Sequence, residues 1–253
     1  MTMPEYLVFR LYGPMVSWGG IAVGEYRPAE RSPSKSAVLG IVAAALGIRR
    51  DDTAGQACLR DGYLMASITH TRGTLLRDYH TTQVAPEIAK KRHWRFFTRR
   101  EEMSIPRDDL STILSTREYL CDVIYTICLR EAGANPPYTL AEIAEGLRHP
   151  VFALYLGRKS CPLALPLQPQ VVKGANLREA LEKVTFHDDI YLRQVPGRTE
   201  TGILCWEGSE ENGFATGAEY TVPRRDVPLD TMKRLFAERD EHEARIEIPA
   251  GVR

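Results

Sequence analysis

Residues 5–11, EYLVFRL, run straight into Tyr12-Gly13-Pro14, a strand of aliphatic and aromatic side chains followed by a breaker. Working outward from it, a loop over 12–33 carries Gly13, Gly19, Gly20, Gly24, Pro28 and Pro33. Ser34 or Ser36 then caps a helix through Leu46, with Gly47 at the stop position. That helix is apolar on nearly every side, which predicts packing against a sheet. Residues 62–70 (GYLMASITH) read as a second strand and 118–129 (EYLCDVIYTICL) as a third. Thr139 with Glu142 makes a capping-box pattern for a helix that ends before Pro150, and 151–156 (VFALYL) read as a fourth strand. The order β-α-β-β-α-β is the ferredoxin-like (RRM-like) supersecondary unit of an α+β protein.

The connection between the second and third strands is unusual. Residues 71–117 separate two strands that should be hairpin neighbours, so this segment reads as an arm or thumb projecting from the sheet. The second half is less regular: a short capped helix over 177–184, strands over 201–207 and 219–223, and a last strand at 245–249. The expected organisation is a ferredoxin-like domain over 1–160, its thumb at about 84–116, and a smaller β-rich subdomain over 161–253.

Composition bounds the function. The 253 residues are 43% hydrophobic and 26% charged, enough for a buried core, and 33 basic residues balance 33 acidic ones. A uniformly basic nucleic-acid coat is thereby excluded, although a local patch is not. No apolar run reaches the roughly 20 residues of a bilayer span, and Glu5 and Arg10 interrupt any secretory signal. Five scattered cysteines without a C-x-x-C favour reduced thiols in a cytoplasm.

The strongest local anomaly lies in the arm. Lys90, Lys91, Arg92, Arg95, Arg99 and Arg100 fall within eleven residues that hold no acid, interleaved with His93, Trp94, Phe96 and Phe97. Cations neutralise phosphates and aromatic faces accept stacked bases, the combination that single-stranded RNA binding needs. The plain alternative is a solvated charged helix whose aromatics pack on the body. A second candidate is the loop feeding the first helix. There Arg27, Arg31, Ser34, Lys35 and Ser36 converge on a helix N-terminus, whose free N–H groups suit a phosphate. Trp18 in that loop reads as an anchor or a base platform. A third is Gly157-Arg158-Lys159, where a bare backbone and two charges follow the expected fourth strand. No Walker or dinucleotide fingerprint is present, no histidine pair has metal-ligand spacing, and His187-Asp188-Asp189 reads as a capped turn. Metal-independent RNA cleavage would need an acid–base set, for which Tyr79, His80 and Lys159 are the only plausible trio. No catalytic residue, metal or cofactor is expected.

Several stretches resemble the CasD-type subunits of type I-E CRISPR Cascade, members of the repeat-associated RAMP superfamily. They are residues 6–15 (YLVFRLYGPM) with Ser17-Trp18-Gly19; Arg27 through Ser36; Leu39-Gly40 through Leu46-Gly47 to Asp52; Arg77 to Thr81 (RDYHT); Arg117 to Asp122 (REYLCD); and Tyr155 to Leu163 (YLGRKSCPL). Asp189-Ile190-Tyr191 is a weaker echo. In order, they span nearly the whole chain. The resemblance implies a ferredoxin-like body with a thumb, and a non-catalytic antiviral subunit that grips the repeat-derived 5′ handle of crRNA and caps the row of backbone subunits. It also implies contact with the Cascade large subunit, and with target DNA only through the complex, without any membrane. Arg27, Ser34, Lys35 and Ser36 would hold handle phosphates, Tyr79 and His80 would meet bases at the thumb's root, and Arg158 and Lys159 would close the other side. The thumb is longer and more basic than the family pattern, and Ala29 and Ala37 stand where a hydroxyl residue and a glycine are expected. The readings that compete are an endoribonuclease that cuts the repeat, as a related type I-C subunit does, and a general single-stranded RNA-binding module.

Overall fold

The computed structural model describes residues 3–86, 95–133, 136–187, 192, 195–208, 214 and 217–253. In chain order its elements are β1 (Glu5–Val16), β2 (Trp18–Gly19), β3 (Tyr26–Arg27), β4 (Ala29–Glu30), α1 (Lys35–Leu46), α2 (Thr53–Gly62), β5 (Tyr63–Thr69) and β6 (Thr74–Val84). There follow α3 (Arg99–Glu102), β7 (Ser111–Glu131), α4 (Leu140–Arg148), β8 (Gln170–Lys173), α5 (Leu177–Glu182), β9 (Thr201–Trp206), β10 (Tyr220–Asp230) and β11 (Leu235–Glu247).

One sheet organises the molecule, an α+β architecture with few helices. Its strands run β10-β11-β9-β5-β7-β1-β8, with β6 and β3 also paired to β7. Every neighbouring pair along that path is antiparallel. β1 is covered on both faces, which explains the apolar run Tyr6–Phe9 and the burial of its neighbours. Leu7, Phe9 and Leu11 pack with Val38, Val42 and Ile143 of α1 and α4, while Tyr6 and Val8 pack with Leu177, Leu181 and Trp206. Strands β8 and β9, from the second half of the chain, pair directly with β1 and β5 of the first.

The expected fourth strand at 151–156 does not form; the strand beside β1 is β8. Val151 and Phe152 instead donate their N–H groups to Ala45 and Ala44 O (3.1 and 3.0 Å), satisfying carbonyls that the end of α1 leaves open. An apolar run alone does not distinguish a strand from a segment that caps a buried helix.

The arm is a ribbon, and it starts earlier than residue 84. β6 pairs with the first half of β7 from Thr74↔Cys121 to Val84↔Ser111. β5 pairs with the second half, from Thr69↔Tyr125 to Tyr63↔Glu131. Between the two ladders Asp122 takes a left-handed φ of 59°, so one strand serves both body and ribbon. No helix among the described residues is long and apolar enough to cross a membrane.

His70, just past β5, is fully buried; its Nε2 meets Thr126 Oγ1 at 2.8 Å. Burial, reinforced by repulsion from Arg198 and Arg10, pushes its imidazole down to about 3. The unfolded chain would protonate near pH 6.5, so the stability His70 contributes as a neutral ring is complete above that value. It should be lost as pH falls from there toward 3, roughly 2 kcal/mol of it by pH 5. Urea midpoints measured from pH 7 to 4.5 should show this acid limb, and His70→Gln should flatten it; an equally steep limb in the variant would assign it to other groups.

Candidate nucleic-acid interface

Helix α1 forms where the sequence predicts it. Ser34 Oγ accepts the Ala37 N–H (3.1 Å), and Gly47 closes the other end at φ 77°. Its N-terminus, however, is already occupied by the chain's own anion. Asp226 Oδ2 accepts the Lys35 N–H at 2.8 Å, in the position a phosphate was expected to fill. The Lys35 side chain turns inward, with Nζ 2.9 Å from Glu207 Oε1, and the residue is only 5% exposed. Glu207 Oε1 also takes the Met65 N–H of β5 (2.8 Å). Arg239 grips Asp226 (2.7 Å) and Glu241 (2.6 Å), and Arg224 binds Glu241 (2.8 Å) and the Ser32 carbonyl (2.8 Å). Three cations and three carboxylates therefore balance beneath α1, tying its start to β9, β10 and β11. Lys35 as a phosphate ligand is corrected: it is half of a buried ion pair. The same holds for Trp18 as a base platform, since its ring is fully buried against Tyr125 (centroids 5.7 Å apart).

Ser36 is half-buried and lines a cleft of about 830 Å³ beside α1, together with Ser34, Gly40, Arg50, Phe152 and Gly157. Gly157 has φ 86°, and a Cβ there would stand 2.0 Å from the Ser17 carbonyl, so no side chain fits. That close approach sets Arg158 over the Tyr119 ring, 4.8 Å from its centroid, with Nη2 3.5 Å from the Arg27 carbonyl. Lys159 beside it is exposed.

At the ribbon's root β3 lies parallel to β7, Tyr26 opposite Thr116 and Arg27 opposite Arg117. Side chains alternate faces along a strand, and this separates residues that the sequence groups together. Asp78 and Arg117 are directly opposed, as are His80 and Ser115, so Arg27, Arg117, His80 and Tyr119 share one face, with Arg158 stacked on it. Tyr79, 66% exposed, points to the other face with Arg77 and Glu118. The pair Tyr79 and His80 therefore does not meet one ligand from one side. Glu118 is the hub of that second face. Its carboxylate accepts from Tyr26 Oη (2.5 Å), Arg77 Nε (3.0 Å) and the Ala29 N–H (3.3 Å), holding the 20–30 loop against the ribbon. These bonds keep the Glu118 carboxyl below its ordinary range, the Tyr26 hydroxyl contributing most. Arg117, Glu118 and Tyr119 belong to a quoted motif, yet their roles depend on cross-strand partners that a linear reading does not supply.

Farther out, Arg95 and Arg100 are exposed, as is Phe97, at 86%. Arg99 is engaged within the arm, by Glu102 at 2.5 Å and by the Gln83 carbonyl. Lys90, Lys91, Arg92, His93 and Trp94 lie outside the described residues, as do Asp188 to Tyr191.

The fold superposes on a chain of a CRISPR RNA-guided surveillance complex with a TM-score of 0.64 and 24% identity, over 98% of this chain and 92% of that one. It also matches a structure described as a Cas protein, with a TM-score of 0.61 and 25% identity, over 98% of this chain and all of the other. The family model for CRISPR-associated protein (Cas_Cas5) matches residues 6–241, and the chain belongs to that family. Among curated relatives, the CRISPR system Cascade subunit CasD of Escherichia coli (strain K12) is 32% identical over 249 residues, 94% of this chain and 95% of the relative.

Proposed function

We propose that this chain is a non-catalytic subunit of a type I-E Cascade antiviral complex that binds the 5′ handle of crRNA and caps the row of backbone subunits. The observation that carries this reading is the end-to-end similarity to a Cascade subunit, 32% identity over nearly the full length of both chains. On this reading β8, β1, β7 and β5 with α1 and α4 are the ferredoxin-like unit, and 74–121 with its tip is the thumb. Handle phosphates meet the root through Arg27, Arg117, Arg158 and Lys159, with His80 and Ser36 at its margins and the arm's Arg95 beyond. The arm tip, with Lys90, Lys91 and Arg92, serves the adjoining backbone subunit and the RNA between them. The large subunit and target DNA are met only in the assembled complex.

Labelled repeat-derived RNA incubated with the pure protein in EDTA tests the reading. The handle should be bound without cleavage, and affinity should fall with salt at a log–log slope of about −0.7 per phosphate contacted. The triple variant Arg27→Ala, Arg117→Ala, Lys159→Ala should flatten the slope by about 2. Specific cleavage that disappears in Tyr79→Phe, His80→Ala or Lys159→Ala would replace this reading with the endoribonuclease.

A further inference from the structure

Past Thr69 the sheet forks. β5 ends, β9 and β11 continue on one side, and β7 with β6 departs on the other. A cleft of about 750 Å³ fills the fork. Arg31, Arg72 and Arg245 line it, all exposed and, among the described residues, without an ion pair. Between them stand the hydroxyls of Thr74 and Thr201, Thr199, whose Oγ1 donates to the Thr201 carbonyl (2.7 Å), and the bare backbone of Gly73, Gly197 and Gly202. Asp122 and Glu243 are the acids of the lining, so the three arginines outnumber them. The Tyr125 hydroxyl fixes the Arg31 carbonyl at 2.8 Å, which holds that loop at the rim.

We infer that this fork cleft is a second binding site, for the phosphodiester backbone of a single-stranded RNA segment. The lining chemistry decides the class. A pocket for an apolar ligand, or the centre of a protein interface, needs a hydrophobic and aromatic lining; here Ile203, Pro196 and Cys205 are the apolar contributions. Forked guanidinium donors match phosphate oxygens, and threonine hydroxyls both donate to phosphates and exchange hydrogen bonds with 2′-OH groups. None of Arg27, Arg117, Arg158 and Lys159 lines it, so the cleft adds a second stretch of bound strand to the handle site. The inference rests on the reading of the chain as an RNA-binding Cascade subunit.

Two variants of the full chain separate the two sites: a fork variant (Arg31→Ala, Arg72→Ala, Arg245→Ala) and the root variant given above. Binding of oligouridine and of handle RNA is followed by fluorescence anisotropy across a salt series. The fork variant should lose about 2 from the slope for oligouridine, and lysines at the same three positions should restore it. With 4-thiouridine in the RNA, crosslinks should map to peptides containing 69–74 and 197–203 and vanish in the fork variant. Equal thermal unfolding midpoints would show that all variants are folded. An unchanged slope with no crosslink in those peptides overturns the fork site, as does binding of polyglutamate, but not RNA, through the same arginines. If handle RNA binds no better than a scrambled sequence while the fork slope still falls, the handle reading fails and the fork site stands.

Discussion

Replacing Asp226 by alanine should lower the free energy of unfolding by about 3–5 kcal/mol, the range for removing one partner of a buried charge pair. The side chain is the anion at the head of α1 and the bidentate partner of Arg239, at 2.7 and 2.9 Å. Its loss leaves the Arg239 guanidinium buried with Glu241 bonded to it and Glu207 farther off, and frees a buried helix N–H. An arginine guanidinium stays protonated at any working pH, so deprotonation offers no escape once Asp226 is gone. Asp226→Asn keeps an acceptor for the Lys35 N–H and should cost less. Adding Arg239→Met to Asp226→Ala should recover part of the loss, because the stranded charge is then gone. Urea unfolding with an unchanged m-value measures all three. A loss below about 1 kcal/mol for Asp226→Ala would mean that water or a counter-ion satisfies the network as well as the chain does.

Replacing residues 85–110 with Asn-Gly should leave a folded body that does not enter a Cascade assembly. The ladder reaches Val84↔Ser111, so a two-residue type I′ turn closes the hairpin there without disturbing the eleven pairs below it. Among the described residues of the removed tip, none belongs to the two main core clusters, and Phe97 is 86% exposed. A surface-exposed aromatic among cations suits a contact made only with a partner. The thermal midpoint should therefore stay within a few degrees while co-purification with guide RNA and backbone subunits is lost. Intact assembly by the shortened chain would make the tip an ordinary insertion.

The parts of the fold that the sequence states locally are the parts it states correctly. Ser34 and Gly47 bracket α1, and Thr139 and Glu142 form the capping box of α4, because caps are settled within four residues. β1 and β5 show in the sequence because burial on both faces makes them largely apolar. β6 escapes notice as a strand since a ribbon wet on both sides has no hydrophobic period to display: TLLRDYHTTQV falls in the arm with no element assigned. Arg27 and Arg158, proposed from the sequence, are brought together by the fold, while Tyr119, on which Arg158 stacks, comes from a separate motif. Lys35 and Trp18 mislead because their partners, Glu207 and Tyr125, are more than a hundred residues away. A lysine bound for a carboxylate and one bound for a phosphate look alike until the long-range pairing is known.

β7 has a mechanical consequence. At about 3.4 Å per residue its 21 residues form a beam of roughly 70 Å, clamped in the sheet over its second half and free with β6 over its first. A load at the tip cannot be absorbed by a slack linker, because the peptide chain is continuous through Asp122. It arrives at the root as a bending moment, where Glu118 braces Tyr26, Arg77 and Ala29 on one side and Arg158 props Tyr119 on the other. On the proposed reading, docking of the tip and gripping of RNA at the root would be strokes of one lever, with its fulcrum at residues 117–122.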